Sequence, residues 1–93
     1  MVKHIVLYTI KEDRDKDGAV ALIASVLEPL VGKIPGLQKM EIRRCYQGAD
    51  YALYSEFESR EALSAYANHP LHLEAKSHFS HLLASRLNAD YEV

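Results

Sequence analysis

Cysteine is almost missing from this chain: Cys45 is the only one in 93 residues. No internal disulfide can form, and a lone thiol fits a reducing compartment. No apolar run approaches the ~20 residues that cross a bilayer. The opening stretch MVKHIVLYTIK is short, alternates with polar residues and ends in no small-residue cleavage site, so no signal peptide is expected. Neither sign of charge dominates: the formal net charge is −2, and Lys and Arg are scattered rather than gathered into a basic stripe, which argues against a nucleic-acid partner. The one charge run, KEDRDKD at 11–17, mixes both signs and reads as a solvated loop. There is no glycine-rich phosphate loop, and no Ser or Cys sits in a nucleophile motif. What remains is a single domain over residues 1–93, cytoplasmic and free of membrane, with about half its residues apolar (48%) and room for one modest core.

Periodicity supplies the elements. Lys3 to Ile10 reads as a strand with His4, Val6, Tyr8 and Ile10 on one face and Ile5, Leu7 and Thr9 on the other. Asp17 and Gly18 precede a helix carrying Val20, Ile23, Ala24, Leu27, Leu30 and Val31, its last turn loosened by Pro29. Gly32 and the KIPG turn at 33–36 end it. Leu37 to Tyr46 alternates as a second strand with Met40 and Ile42 inward, and after Gly48 a third runs from Tyr51 to Phe57. Ser59 is a good N-cap, and Glu61 suits the first turn of a helix running to about Asn68 with Ala62, Leu63, Tyr66 and Ala67 inward. The chain closes with a strand near Leu87 to Val93. The order βαββαβ, with its second helix broken, is the α+β ferredoxin-like plait: a four-stranded antiparallel sheet with helices on one face.

Four of the five histidines fall between 69 and 81. Pro70 is at ease at the first position of a helix and drives His69 out of helical conformation, so His69 belongs to the turn and a helix runs from about Pro70 to Ala84. Its polar stripe would be Glu74, His78, His81 and Ser85, and its apolar stripe Leu71, Ala75, Phe79 and Leu82. His72 falls in the first turn beside the apolar stripe, where exposed backbone N–H groups disfavour protonation, and a neutral imidazole suits a proton acceptor. Glu74, His78 and His81 could converge on a metal, but a solvated face explains them with less, and no fourth ligand accompanies them. No metal and no cofactor are expected.

Helices cover one sheet face only, yet the first strand is apolar on both. A second copy stacked sheet to sheet is the simplest cover, giving a homodimer with a barrel-like core.

The stretches VKHIVLYTIKE, KIPGLQKMEI, DYALYSEFESREALSAYANHPLHLE and DYEV, spanning essentially the whole chain, resemble the stress-responsive A/B barrel (Dabb) family of the dimeric α+β barrel superfamily. The resemblance implies a dimeric α+β barrel. Within the family the chain is similar to plant olivetolic acid cyclase, which closes a polyketide by intramolecular aldol condensation in a pocket between sheet and helices. Position by position, that similarity puts the catalytic histidine on His72, its assisting tyrosine on Tyr66 and a pocket histidine on His4. A further pocket histidine of the cyclase falls on Tyr51, a departure that bears on substrate.

The constellation suits proton abstraction beside a carbonyl, with His72 as base and Tyr66 donating to the developing enolate oxygen. His4, Tyr8 and Tyr51, on one sheet face, would hold a ring-shaped ligand. Three readings stand side by side: a ligand-binding dimer with aldol cyclase-like chemistry, a cofactor-free monooxygenase or isomerase of the same superfamily, and a non-enzymatic stress or interaction domain in which Tyr66, His69, Pro70 and His72 are architecture. A pocket able to take a ring, lined by His4, Tyr51, Tyr66 and His72, separates the first from the last.

Overall fold

The computed structural model describes all of residues 1–93. The chain runs β1 (Val2–Ile10), α1 (Lys16–Leu27), a 3₁₀ turn (Glu28–Leu30), β2 (Leu37–Arg44), β3 (Tyr51–Phe57), α2 (Arg60–Ala67), α3 (Pro70–Ser77), a second 3₁₀ turn (Ser80–Leu82) and β4 (Leu83–Glu92). The strands form one antiparallel sheet in the order β2-β3-β1-β4, with helices on one face: a ferredoxin-like plait. No helix is long and apolar enough to cross a membrane.

β1 is central. Its even residues Val2, Val6, Tyr8 and Ile10 are buried against the helices, and β3 alternates in step, with Tyr51, Leu53, Ser55 and Phe57 buried. Register explains the match: Val6 faces Leu53 and Tyr8 faces Tyr51, so the same faces coincide. Ile23 and Leu27 of α1, Leu30, Met40 and Ile42 of β2 and Phe79 complete one core cluster.

Helix starts follow side-chain caps. Asp15, rather than Asp17, caps α1, its carboxylate accepting from the Gly18 N–H at 3.2 Å, so the helix begins at Lys16. Ser59 caps α2 by accepting from the Ala62 N–H at 3.1 Å. His69 caps α3, its Nδ1 accepting from the Leu71 N–H at 3.1 Å, with Pro70 directly behind it. Pro29 sits inside the 3₁₀ turn after α1 and leaves Val31 exposed. Gly36 closes the KIPG turn at φ +84°, where a Cβ would lie 2.5 Å from the Cβ of Ala62. Only glycine lets the turn pass under α2 there.

The last third departs from expectation. α3 stops at Ser77 rather than Ala84, and β4 starts at Leu83 rather than 87. The cause is the length of β1, whose Thr9 and Ile10 recruit Ser85 and Leu83 as ladder partners while the Lys11 N–H donates to the Leu82 carbonyl. The proposed polar stripe is thereby broken, since His81 lies in the 3₁₀ turn and Ser85 in the strand. β2 likewise ends at Arg44, and Tyr46 is fully exposed.

The sheet face away from the helices is bare in the single chain. Ile5 and Leu7 of β1 pair with Ala89 and Leu87 of β4, on a face that also carries Tyr91. Leu7 is 40% exposed, Leu87 71% and Tyr91 47%.

Candidate functional site

Between sheet and helices lies a cavity of about 350 Å³. An apolar cavity of ~150 Å³ already holds benzene, so a substituted ring fits this one. His4 and Tyr8 form its floor from β1, and Tyr66 from α2 and His72 from α3 its roof. Leu53, Leu63 and Phe79 supply apolar wall, and Lys76 and Arg86 also line it. Four of the five residues singled out in the sequence therefore meet in one space.

Tyr51 does not line it. It faces Tyr8 across the β1–β3 ladder and is stacked on that ring, centroids 4.8 Å apart at 14°, fully buried and one layer behind the floor. Its hydroxyl has no hydrogen-bond partner, and burial pushes its pKa far up.

His72 and Tyr66 stack face to face, centroids 4.1 Å apart at 30°. The break between α2 and α3 makes this possible: the corner at His69 and Pro70 turns the chain so that residues six apart overlap. His72 Nδ1 lies 3.3 Å from the Ala67 carbonyl oxygen. A carbonyl only accepts, so Nδ1 carries the proton and Nε2 keeps its lone pair. Burial holds the imidazole below its ordinary pKa of 6.5; Lys76 and His4 push the same way, while the Ala67 and Tyr66 carbonyls oppose. The sequence points to the helix N-terminus for this shift; in the fold desolvation leads. Burial raises the Tyr66 phenol, keeping it a neutral donor, and raises Tyr8 too, with Arg86 opposing.

His4 is fixed from two sides. Its Nδ1 pairs with the Asp90 carboxylate of β4, and its ring meets Phe57 edge-on at 6.3 Å and 74°. Asp90 is the main residue the sequence did not offer. It lies in the alternating polar row Arg86, Asn88, Asp90, Glu92, which reads as solvent-facing until register sets Asp90 opposite His4. A second hollow of about 340 Å³ adjoins Arg60, Asp90 and Glu92. Its charged groups satisfy one another, with Arg60 and Glu92 paired at 2.7 Å and Asp90 on His4, so it offers a ligand little.

The remaining histidines stand apart from the cavity. His69 is a cap, and His78 and His81 are exposed. With α3 ending at Ser77, Glu74, His78 and His81 do not converge, and no three His, Cys, Asp or Glu side chains gather as a metal site.

A βαββαβ sheet with a His- and Tyr-lined cavity beneath its helices defines the class: a ferredoxin-like α+β barrel protein. The chain belongs to the stress responsive A/B barrel domain (Dabb) family, whose sequence profile matches residues 2–93. It is 30% identical over 97 residues to the stress-response A/B barrel domain-containing protein HS1 of Arabidopsis thaliana, covering 98% of this chain and 88% of that one. Among solved structures it is similar to a dimeric protein of unknown function and ferredoxin-like fold from Bacteroides fragilis. The two share 32% identity at a TM-score of 0.89, over 99% of this chain and 95% of that one. An antibiotic biosynthesis monooxygenase shares the fold alone, at 14% identity and a TM-score of 0.79, over 100% of this chain and 98% of that one.

Proposed function

We propose that the chain works as a homodimer joined through its bare sheet faces. Each copy binds a small aromatic or polyketide-like molecule in the cavity under the helices and acts on it by acid–base chemistry of the aldol cyclase kind. The observation that carries this reading is the stacked His72–Tyr66 pair facing His4 and Tyr8 across space large enough for a ring. His72 Nε2 takes a proton from the carbon beside a carbonyl. The Tyr66 hydroxyl donates to the enolate oxygen that develops. The enolate carbon then attacks a second carbonyl of the same molecule, forming the C–C bond, and the resulting alkoxide takes the proton back from the imidazolium. His4, held by Asp90, orients the ring. What supports the dimer is the row Ile5, Leu7, Leu87 and Tyr91, an apolar patch too continuous to leave wet, together with the dimeric state of the Bacteroides fragilis protein.

The fold-level likeness to a monooxygenase brings no oxygen chemistry of its own to this chain, and an interaction domain with no ligand gives no role to a cavity walled by four polar rings. A two-dimensional NMR titration of the histidine and tyrosine rings with hydroxybenzoates, resorcylic acids and linear β-ketoacids tests the reading. Saturable shifts are expected at His4, Tyr8, Tyr66 and His72, with His78 and His81 unmoved, and His72→Gln should weaken them. If the cavity rings stay silent across the panel, the histidines are architecture and the proposal fails.

A further inference from the structure

We infer that this cavity selects anions, with Arg86 and Lys76 as the residues that choose a carboxylate-bearing ring over a neutral one. The inference rests on the ring-binding reading above and adds the chemical class of the ligand. Arg86 and Lys76 are the charged side chains on the cavity wall, and no Asp or Glu lines it. The acid next to the floor, Asp90, is taken up by His4, so in a chain whose net charge is −2 a wall carrying two cations is a local reversal of sign that draws anions inward.

Both cations are also unspent. The chain's ion pairs are made by Arg14, Lys16, Arg43, Arg44 and Arg60, leaving Lys76 and Arg86 without a carboxylate partner. Arg86 reaches over Tyr8, its guanidinium carbon 6.0 Å from the ring centroid, which places the planar fork above the floor of the cavity. It arrives from β4 and Lys76 from α3, both exposed, so the two charges sit where the space opens to water. Arg86 faces Tyr8 in register and points to the helix side of the sheet, so a partner stacked on the other face leaves it free.

A ring lying on Tyr8, its carboxylate between the two cations, is the arrangement this wall fits. Arg86 supplies the planar two-toothed contact and Lys76 a point charge. Neither takes part in proton transfer; they set which molecule enters and which way round it lies.

The test compares 2,4-dihydroxybenzoate with 2,4-dihydroxybenzamide, which share ring and hydroxyls and differ in charge, by calorimetric titration of the full chain. The acid should bind about five- to tenfold more tightly, the range of one charge-assisted contact at a wet site. Arg86→Gln and Lys76→Gln should each erase most of that advantage and leave amide affinity within about twofold. As both side chains are exposed and unpaired, melting temperature should hold. In the unsubstituted protein, raising ionic strength from about 0.01 to 0.15 M, which shortens the Debye length from ~30 to ~8 Å, should lower acid affinity and spare the amide. If acid and amide bind equally, with no response to salt, the anion inference is overturned while ring binding stands. If neither binds, both readings fall together.

Discussion

His72 is the base of the proposed reaction, and its protonation can be followed without any substrate. Burial lowers its pKa in the folded state relative to the unfolded 6.5, so the folded chain binds fewer protons in the interval between the two values. Its contribution to stability is therefore fully present above about pH 6.5 and is lost as pH falls from there through the depressed folded value. Chemical denaturation at a series of pH values should show this loss, and His72→Gln should flatten that part of the curve. An unchanged slope would mean that His72 is as exposed to protonation folded as unfolded. Sequence made His72, Tyr66, His4 and Tyr8 legible through motif resemblance and strand alternation. It could not separate Tyr8 from Tyr51, because both lie on the same face and only the stacking of one ring over the other decides which is floor and which is backing. Asp90 stayed hidden for a related reason: its partner His4 is 86 residues away, and nothing local marks a register.

At the scale of elements, the fold was legible where a local chemical signal sets a boundary. Ser59 and Pro70 each do so, and α2 and α3 start where those residues direct. Boundaries set by distant pairing were not legible. The periodic Leu71, Ala75, Phe79, Leu82 reads as continuous helix, yet β1 claims Leu83 and Ser85 for its ladder and cuts the helix at Ser77. Two substitutions test the locally set junction around α2. Ser59→Ala removes the cap from the Ala62 N–H and should cost about 1 kcal/mol. Gly36→Ala should cost more than about 1 kcal/mol, since alanine must adopt a positive φ and push its Cβ into Ala62. Denaturant midpoints rank the pair, and a Gly36→Ala protein as stable as the parent would mean that the turn shifts freely away from α2.

For the whole molecule, the decisive surface is the one no helix covers. Leu7 stands near its centre, beside Leu87 and Ala52 in the ladder. If the copies meet there, an aspartate at Leu7 would be a charge buried without a partner, which a seam of this kind cannot absorb. Leu7→Asp should sediment as monomer or aggregate. A soluble, stable dimer of this variant would move the interface elsewhere and leave the apolar row unexplained. The sequence announced this face through a first strand apolar on both sides, because alternation shows which residues share a face even where it cannot show what lies opposite.

The place of β1 in the sheet also governs how the protein comes into being. It is made before the other three strands of the sheet, yet one of its two edges stays unpaired until residues 83–92 have left the ribosome and laid themselves along it. Up to that moment the nascent chain lacks the strand that holds Asp90 against His4 and brings Arg86 over Tyr8. Pairing so distant in sequence closes slowly, and a half-made sheet with an open apolar edge is the form most prone to stick to its neighbours. The cavity is therefore among the last features of the sheet to appear, built only when β4 returns to lie along β1.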